Sequence, residues 1–156
     1  MDGDRAVGRA EALSQVAPPG ADLTDVTEAG PRLAMVIDDS RAMRGILKKI
    51  LLPLGFDVRE AGNGREALDA IWTDDLHPEV ALVDWNMPVM SGLEFVSAVR
   101  KQKHLRRMTI MMVTTESEQG QIVRALAAGA HEYVIKPFTA EAIVAKLSYL
   151  GLTTPN

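Results

Sequence analysis

Charged residues follow three short apolar runs of this sequence, at the point where each run ends. Asp38-Asp39 follows the run 33–37, Asp84 follows the run 80–83, and Lys136 follows the run 133–135. If parallel strands carry these residues to one edge of a sheet, three carboxylates meet there and repel one another unless a positive charge lies between them. The pattern therefore predicts a divalent cation beside the acids, with the lysine as a fixed partner for an incoming anion.

Composition narrows the class of protein. A length of 156 residues with 47% hydrophobic content suits one domain with a real core, and the net charge of −4 gives no sign of general nucleic-acid affinity. No apolar run is long enough to span a membrane, and the N-terminus lacks the apolar centre of a secretory signal. Without cysteines there is neither a disulfide frame nor a thiolate metal site. We expect a cytoplasmic protein.

The first 31 residues differ from the rest of the chain. They are rich in Ala, Gly, Asp and Pro, and they hold few large aliphatic side chains. Such a segment cannot bury enough apolar surface to offset the entropy lost on ordering. We predict a flexible tail over 1–31, either a dispensable extension or a partner-docking arm, followed by a domain over 32–152 and a short tail over 153–156.

Strand and helix patterns alternate from residue 33 onwards. Strands are predicted at 33–37, 56–60, 80–83, 109–113 and 133–135, and helices at 42–51, 66–72, 93–101, 119–128 and 139–150. Five strands that alternate with five helices indicate an α/β fold, a doubly wound parallel sheet with helices on both faces. Ligands of such sheets bind beyond the carboxyl ends of the strands.

Four segments carry a family resemblance. They are VIDDS at 36–40, LVDWNMP at 82–88, VTTE at 113–116 and YVIKPF at 133–138. In this order they resemble the receiver domain of two-component response regulators, most closely the single-domain chemotaxis type (CheY-like). The resemblance covers about residues 32–152, and it implies a flavodoxin-like (βα)5 fold with strand order 2-1-3-4-5.

The resemblance also implies a metal site and a phosphorylation site. Asp84 resembles the phosphoacceptor, the carboxylate that becomes an aspartyl phosphate. Asp39 and Asp84 would bind Mg²⁺ directly, together with the backbone carbonyl of Asn86, and Asp38 would reach the ion through water. Mg²⁺ prefers such oxygen ligands and retains several waters.

Further roles follow from the same resemblance. Lys136 would contact the transferred phosphoryl group, and Thr114 would donate a hydrogen bond to it. Tyr133 would then turn inward as part of the switch. From their placement, two residues beyond Asp84 and Thr114, the polar residues Asn86 and Glu116 should flank the path of the attacking water, so we expect the phosphoryl group to last seconds to minutes. In this family the peptide bond before the proline that follows the lysine is cis, an isomer that sequence cannot reveal.

The function implied is a signalling switch that catalyses only its own phosphorylation and dephosphorylation. A histidine kinase or phosphotransfer protein would be the phosphodonor. Because no output domain is expected after the last helix, the output would be a surface formed by 119–128, 133–135 and 139–150. A chemotaxis role with a flagellar motor switch as target is favoured, and neither nucleic acid nor membrane is expected as a partner. We expect a monomer or a weak phosphorylation-dependent dimer.

Two alternatives remain at this stage. One is a phosphorelay shuttle or a stress-pathway receiver with the same chemistry. The other is a phosphatase of the haloacid-dehalogenase kind, which would need a second aspartate two residues after the nucleophile, where this chain has Asn86. Away from the site, His77, His104, His131 and the basic stretch 100–107 are expected to be solvated.

Overall fold

Short aliphatic runs form the strands of one parallel sheet. In the computed structural model, which describes residues 32–154, the strands are Arg32–Ile37 (β1), Phe56–Ala61 (β2), Val80–Val83 (β3), Thr109–Thr114 (β4) and Glu132–Ile135 (β5). Their spatial order is β2-β1-β3-β4-β5, which confirms the predicted order 2-1-3-4-5. The predicted tail 1–31 lies outside the described residues, and the predicted domain boundaries stay predictions.

Among the described residues, four α-helices connect the strands and a fifth follows the last strand, each within two residues of its predicted bounds. They are Arg41–Leu51 (α1), Gly64–Thr73 (α2), Gly92–Arg100 (α3), Gln119–Ala128 (α4) and Ala140–Tyr149 (α5). At four of the five, a side chain at the N-cap accepts a backbone N–H of the first turn; these caps are Ser40, Asn63, Ser91 and Thr139. The helix α4 differs, since its N-cap residue Glu118 makes no such bond.

The helices cover the two faces of the sheet. Phe95 of α3 and Ala125 of α4 pack on one face with Met35, and Leu47 of α1 and Ile143 of α5 pack on the other. Successive residues of a strand point to opposite faces, so each strand supplies side chains to both cores. The inner strands β1, β3 and β4 are almost wholly buried, so the charged residues Asp38 and Asp84 lie just beyond the ends of β1 and β3.

Candidate functional site

Asp38 and Asp84 lie side by side because the strands that precede them are paired in register. Ile37 is the parallel partner of Val83, and each acid is the next residue along its own chain segment. The backbone N–H of Asp84 donates to the Ile37 carbonyl at 2.9 Å. The two acids are only 1% and 8% exposed. Strand pairing therefore delivers two buried carboxylates to one edge of the sheet.

All the polar groups of Asp38 are held. Its Oδ1 accepts the backbone N–H of Ser40 at 2.8 Å, and its Oδ2 accepts a hydrogen bond from Lys136 Nζ at 2.8 Å. Its backbone N–H donates to the Ala61 carbonyl at 3.0 Å, and its own carbonyl accepts from Arg44 Nη1 at 2.7 Å. These contacts fix both the side chain and the backbone of Asp38.

The surroundings of Asp84 are equally constrained. Its Oδ1 accepts the backbone N–H of Trp85 at 2.7 Å, and its Oδ2 lies 3.2 Å from Lys136 Nζ. Gly92, at the start of α3, packs so closely that a Cβ there would lie 2.1 Å from the Asp84 carbonyl oxygen. Glycine is the residue that allows such an approach of backbone to backbone. The loop after β3 thus closes tightly on the acid.

Lys136 bridges the two buried acids. It follows Ile135, whose strand partner is Thr114, and its own N–H donates to the Thr114 carbonyl at 2.8 Å. The peptide bond between Lys136 and Pro137 is cis, which answers the question that the sequence left open. Burial lowers the pKa of Lys136, but the hydrogen bond to Asp38 and the negative charges of both acids outweigh burial, so the pKa is raised overall. The ammonium group is therefore charged.

Thr114, Glu116 and Tyr133 are connected through the loop between β4 and α4. The buried Thr114 Oγ1 accepts the N–H of Glu116 at 3.3 Å, and the Tyr133 hydroxyl donates to the Glu116 carbonyl at 2.7 Å. Burial, followed by the charges of Glu116 and Asp84, raises the pKa of Tyr133 to about 12. Tyr133 is thus a neutral donor. Asn86, in the loop after Asp84, is exposed.

Three carboxylates at this edge are close enough to share a cation. Asp38, Asp39 and Asp84 each offer an oxygen, and these oxygens lie within 4.8 Å of one another. Asp39 is exposed, whereas the other two are buried. A cluster of carboxylate oxygens suits a hard cation such as Mg²⁺, and one lysine cannot offset three negative charges. The residues fit a small divalent cation, and we call Asp38, Asp39, Asp84 and Lys136 the acid edge.

Arg100 and His131, which lie outside the acid edge, make contacts that could not be predicted from the sequence. Arg100 donates to the carbonyls of Gly129 at 2.8 Å and Met108 at 3.0 Å, and His131 Nδ1 accepts the N–H of Ile110 at 3.1 Å. Burial, then the charge of Arg100, lowers the pKa of His131. The expectation that Arg100 is solvated is wrong, because its side chain is partly buried, whereas His131 is exposed as expected and still accepts this hydrogen bond. Because these contacts join residues far apart in the chain, no local sequence pattern predicts them.

Comparison with known proteins agrees with this geometry. Residues 34–148 match the family model described as "Response regulator receiver domain". A chemotaxis protein CheY homologue of Campylobacter jejuni is 46% identical over 114 residues, which are 72% of this chain and 87% of that protein. The chemotaxis protein CheY1 of Helicobacter pylori is 40% identical over 72% of this chain and 91% of its own length. The chain belongs to the response regulator receiver family and is CheY-like.

A solved structure gives the same assignment. The chemotaxis protein CheY4 of Vibrio cholerae superposes with a TM-score of 0.71 at 34% identity, over 77% of this chain and 98% of that one. CheY-like receivers are signalling switches, not enzymes in the usual sense. Within residues 32–154, no helix is both long enough and apolar enough to cross a membrane.

Proposed function

We propose that this chain is a phosphoaccepting response regulator of a chemotaxis-type pathway, in which Asp84 becomes an aspartyl phosphate. The observation that carries the proposal is the acid edge, where buried Asp84 lies beside Asp38 with Lys136 bonded to both. The named relatives, which are chemotaxis proteins, support the pathway. A cytoplasmic location, and a monomer or a weak phosphorylation-dependent dimer, belong to the same proposal.

The proposed reaction is transfer of a phosphoryl group from a phosphohistidine of a kinase or phosphotransfer protein. A carboxylate oxygen of Asp84 attacks phosphorus, the P–N bond breaks, and its electron pair leaves with the imidazole nitrogen. The Lys136 ammonium offsets negative charge on the phosphoryl oxygens. Mg²⁺, held by Asp39, Asp84 and the backbone carbonyl of Asn86, with Asp38 acting through water, would add positive charge beside the same oxygens.

The proposed switch runs through the loop between β4 and α4. When Asp84 carries a phosphoryl group, the Thr114 hydroxyl donates to one of its oxygens and moves towards it. The N–H of Glu116 then loses its acceptor, and Tyr133, which is bonded to the Glu116 carbonyl, moves with the loop. Tyr133 lies on β5, so the change reaches the surface formed by α4, β5 and α5, which we call the output face.

The output face is suited to a protein target. Four large apolar side chains are exposed on it, namely Val123, Leu126, Ile135 and Tyr149. Exposed apolar side chains of this kind are typical of surfaces that bind other proteins. We propose a flagellar motor switch protein as the target, with binding controlled by the phosphoryl group on Asp84.

The lifetime of the signal is proposed to depend on two polar residues near the acid edge. Asn86 and Glu116 lie in the loops that follow β3 and β4. We propose that they admit or orient the water that attacks the aspartyl phosphate, which then lasts seconds to minutes. Replacing both with leucine should slow the decay of the aspartyl phosphate, and an unaltered decay rate would refute this role.

Asn86 also counts against the phosphatase alternative, which needs a carboxylate at position 86.

Intact mass spectrometry tests the proposal. The protein is incubated with Mg²⁺ and acetyl phosphate, and the wild type is compared with Asp84→Asn and with Asp57→Asn, which changes an exposed acid on β2. We expect one phosphoryl adduct in the wild type and in Asp57→Asn, and none in Asp84→Asn. A phosphoryl adduct that persists in Asp84→Asn would overturn the assignment of Asp84 as phosphoacceptor. Equal binding of the target by the phosphorylated and unphosphorylated protein would overturn the proposed output.

A further inference from the structure

Arg44 joins the turn that carries two of the acids to the neighbouring strand. Its Nη1 donates to the Asp38 carbonyl at 2.7 Å, and its Nε donates to Glu60 Oε1 at 3.0 Å. Its side chain is only 19% exposed. Glu60 lies near the end of β2, whereas Arg44 lies in the first turns of α1. One guanidinium group therefore links β2, α1 and the turn between β1 and α1.

The bond to the Asp38 carbonyl bears directly on Asp39. The carbonyl of one residue and the amide of the next belong to the same rigid peptide plane. By holding the Asp38 carbonyl, Arg44 fixes the plane from which the Asp39 backbone continues. The side chain of Asp38 is already held by Ser40 and Lys136, whereas Asp39 is exposed. The direction in which Asp39 leaves the turn thus depends on this backbone contact.

We propose that Arg44 is a positioning residue for the divalent cation, acting through the Asp38-Asp39 peptide without touching the ion. The inference rests on the proposed function, because it assumes that Asp39 is a ligand. The planar guanidinium suits the task, since it offers several N–H donors in fixed directions and can serve a carbonyl and a carboxylate together. The Glu60 carboxylate holds the guanidinium in place and balances its charge. Partners that orient metal ligands typically change metal affinity 10- to 100-fold when removed.

The sign of the effect separates positioning from electrostatics. A guanidinium group near a cation site repels the cation, so removing its charge alone would tighten Mg²⁺ binding. Loss of positioning would weaken binding instead. For Arg44→Gln we expect the Kd for Mg²⁺ to rise about 10-fold. Arg41→Gln removes the same charge from an exposed position in the same helix, and we expect its Kd to be unchanged or slightly lower.

Fluorescence of Trp85 can report the binding. The chain has two tryptophans, and Trp72 is 59% exposed on α2, so Trp72→Phe leaves Trp85 beside Asp84 as the single reporter. Each variant is made in this background and titrated with Mg²⁺ at a temperature where circular dichroism shows it folded. If Arg44→Gln does not fold, Arg44→Lys replaces it. The lysine keeps the positive charge, but its ammonium group cannot hold the Asp38 carbonyl and the Glu60 carboxylate in the same geometry. We expect Arg44→Lys to raise the Kd for Mg²⁺ several-fold.

The possible results are distinct. A raised Kd in Arg44→Gln or Arg44→Lys with an unchanged value in Arg41→Gln supports the positioning role. A Kd that is unchanged or lowered in the Arg44 variants overturns that role and leaves the proposed function intact. If the wild type does not bind Mg²⁺ at millimolar concentration, the proposed metal site and this inference both fail.

Discussion

The acid edge and the output face are held by different kinds of contact. At the acid edge, Asp38 is bonded at every polar group, and Gly92 leaves no space above the Asp84 carbonyl. On the output face, α4 begins without a side-chain cap, and a Cβ added at Gly120 in its first turn would meet nothing within 4 Å. The acid edge is fixed in several ways at once, whereas the first turn of α4 is held by fewer contacts.

This difference matches what each region would have to do. Phosphoryl transfer depends on positioning and electrostatics, which require groups already in place. A switch requires an element whose two arrangements differ little in free energy. A helix that lacks an N-cap side chain and has a glycine in its first turn is easier to rearrange than a helix that has the cap and lacks the glycine. The sequence thus places strong restraints at the acid edge and weak ones on α4.

The largest effect is expected where the acid edge is most tightly packed. Gly92→Ala would force a Cβ against the Asp84 backbone, which cannot move aside as the end of a flexible side chain could. We expect the free energy of unfolding to fall by about 3 kcal/mol, as for severe overpacking. Urea unfolding measures this loss. If Gly92→Ala is as stable as the wild type, the acid edge is not rigid in the way described.

Salt bridges in the two regions should also differ in strength. Lys136→Met would leave the buried carboxylates of Asp38 and Asp84 without their shared cation, and we expect a loss of about 2 kcal/mol, reduced from the fully buried case by partial solvent access. Lys146→Met on the output face breaks a more exposed pair with Glu132, so we expect a loss below about 1 kcal/mol. Equal losses in urea unfolding would remove this part of the comparison.

A stabilising change should reveal the looseness of α4. Gly120→Ala adds a methyl group to open space in the helix, and we expect a gain of about 0.5 to 1 kcal/mol in the free energy of unfolding. Gly45→Ala in α1 also meets open space and serves as the matched control. Both variants should accept phosphate normally, but only Gly120→Ala should weaken phosphorylation-dependent binding of a target. Identical binding by both variants would show that α4 need not rearrange.

The smallest effect concerns His131, next to the end of α4. The lowered pKa means that the fold favours neutral His131, whose Nδ1 accepts the Ile110 N–H. This contribution is present above the unfolded pKa of about 6.5 and is lost as pH falls towards and through the lower folded pKa. His131→Asn keeps an acceptor that does not titrate. Between pH 7 and pH 5 its free energy of unfolding should therefore fall less than that of the wild type, and the difference between the two falls should be less than about 1 kcal/mol. Parallel stability curves would contradict this.

Local patterns were sufficient to predict the framework. Aliphatic runs such as 80–83 mark strands, and glycines such as Gly129 mark helix ends, so the bounds of β3 and the end of α4 were predicted without error. The acid edge was predictable as well, because Asp38, Asp84 and Lys136 each follow a strand directly. Parallel pairing then brings them to one edge, whatever the details of side-chain packing.

Contacts between distant segments were not predictable in this way. Arg44 and Glu60 lie on different elements, and Arg100 meets the carbonyl of Gly129, 29 positions further along the chain. An arginine at a helix end or on a helix surface usually points into water, and only the folded arrangement shows which carbonyls lie within its reach. The sequence therefore predicts the chemistry at strand ends better than it predicts the side chains that hold those ends in position.

Amide hydrogen exchange of the wild type, with and without acetyl phosphate in the presence of Mg²⁺, shows which segments respond to phosphorylation. We expect phosphorylation to change exchange in residues 116–135 and to leave α1 and β3 nearly unchanged, and we expect no change at all in Asp84→Asn. If Asp84 takes up phosphate while residues 116–135 exchange as before, the division between a rigid acid edge and a responsive output face is wrong.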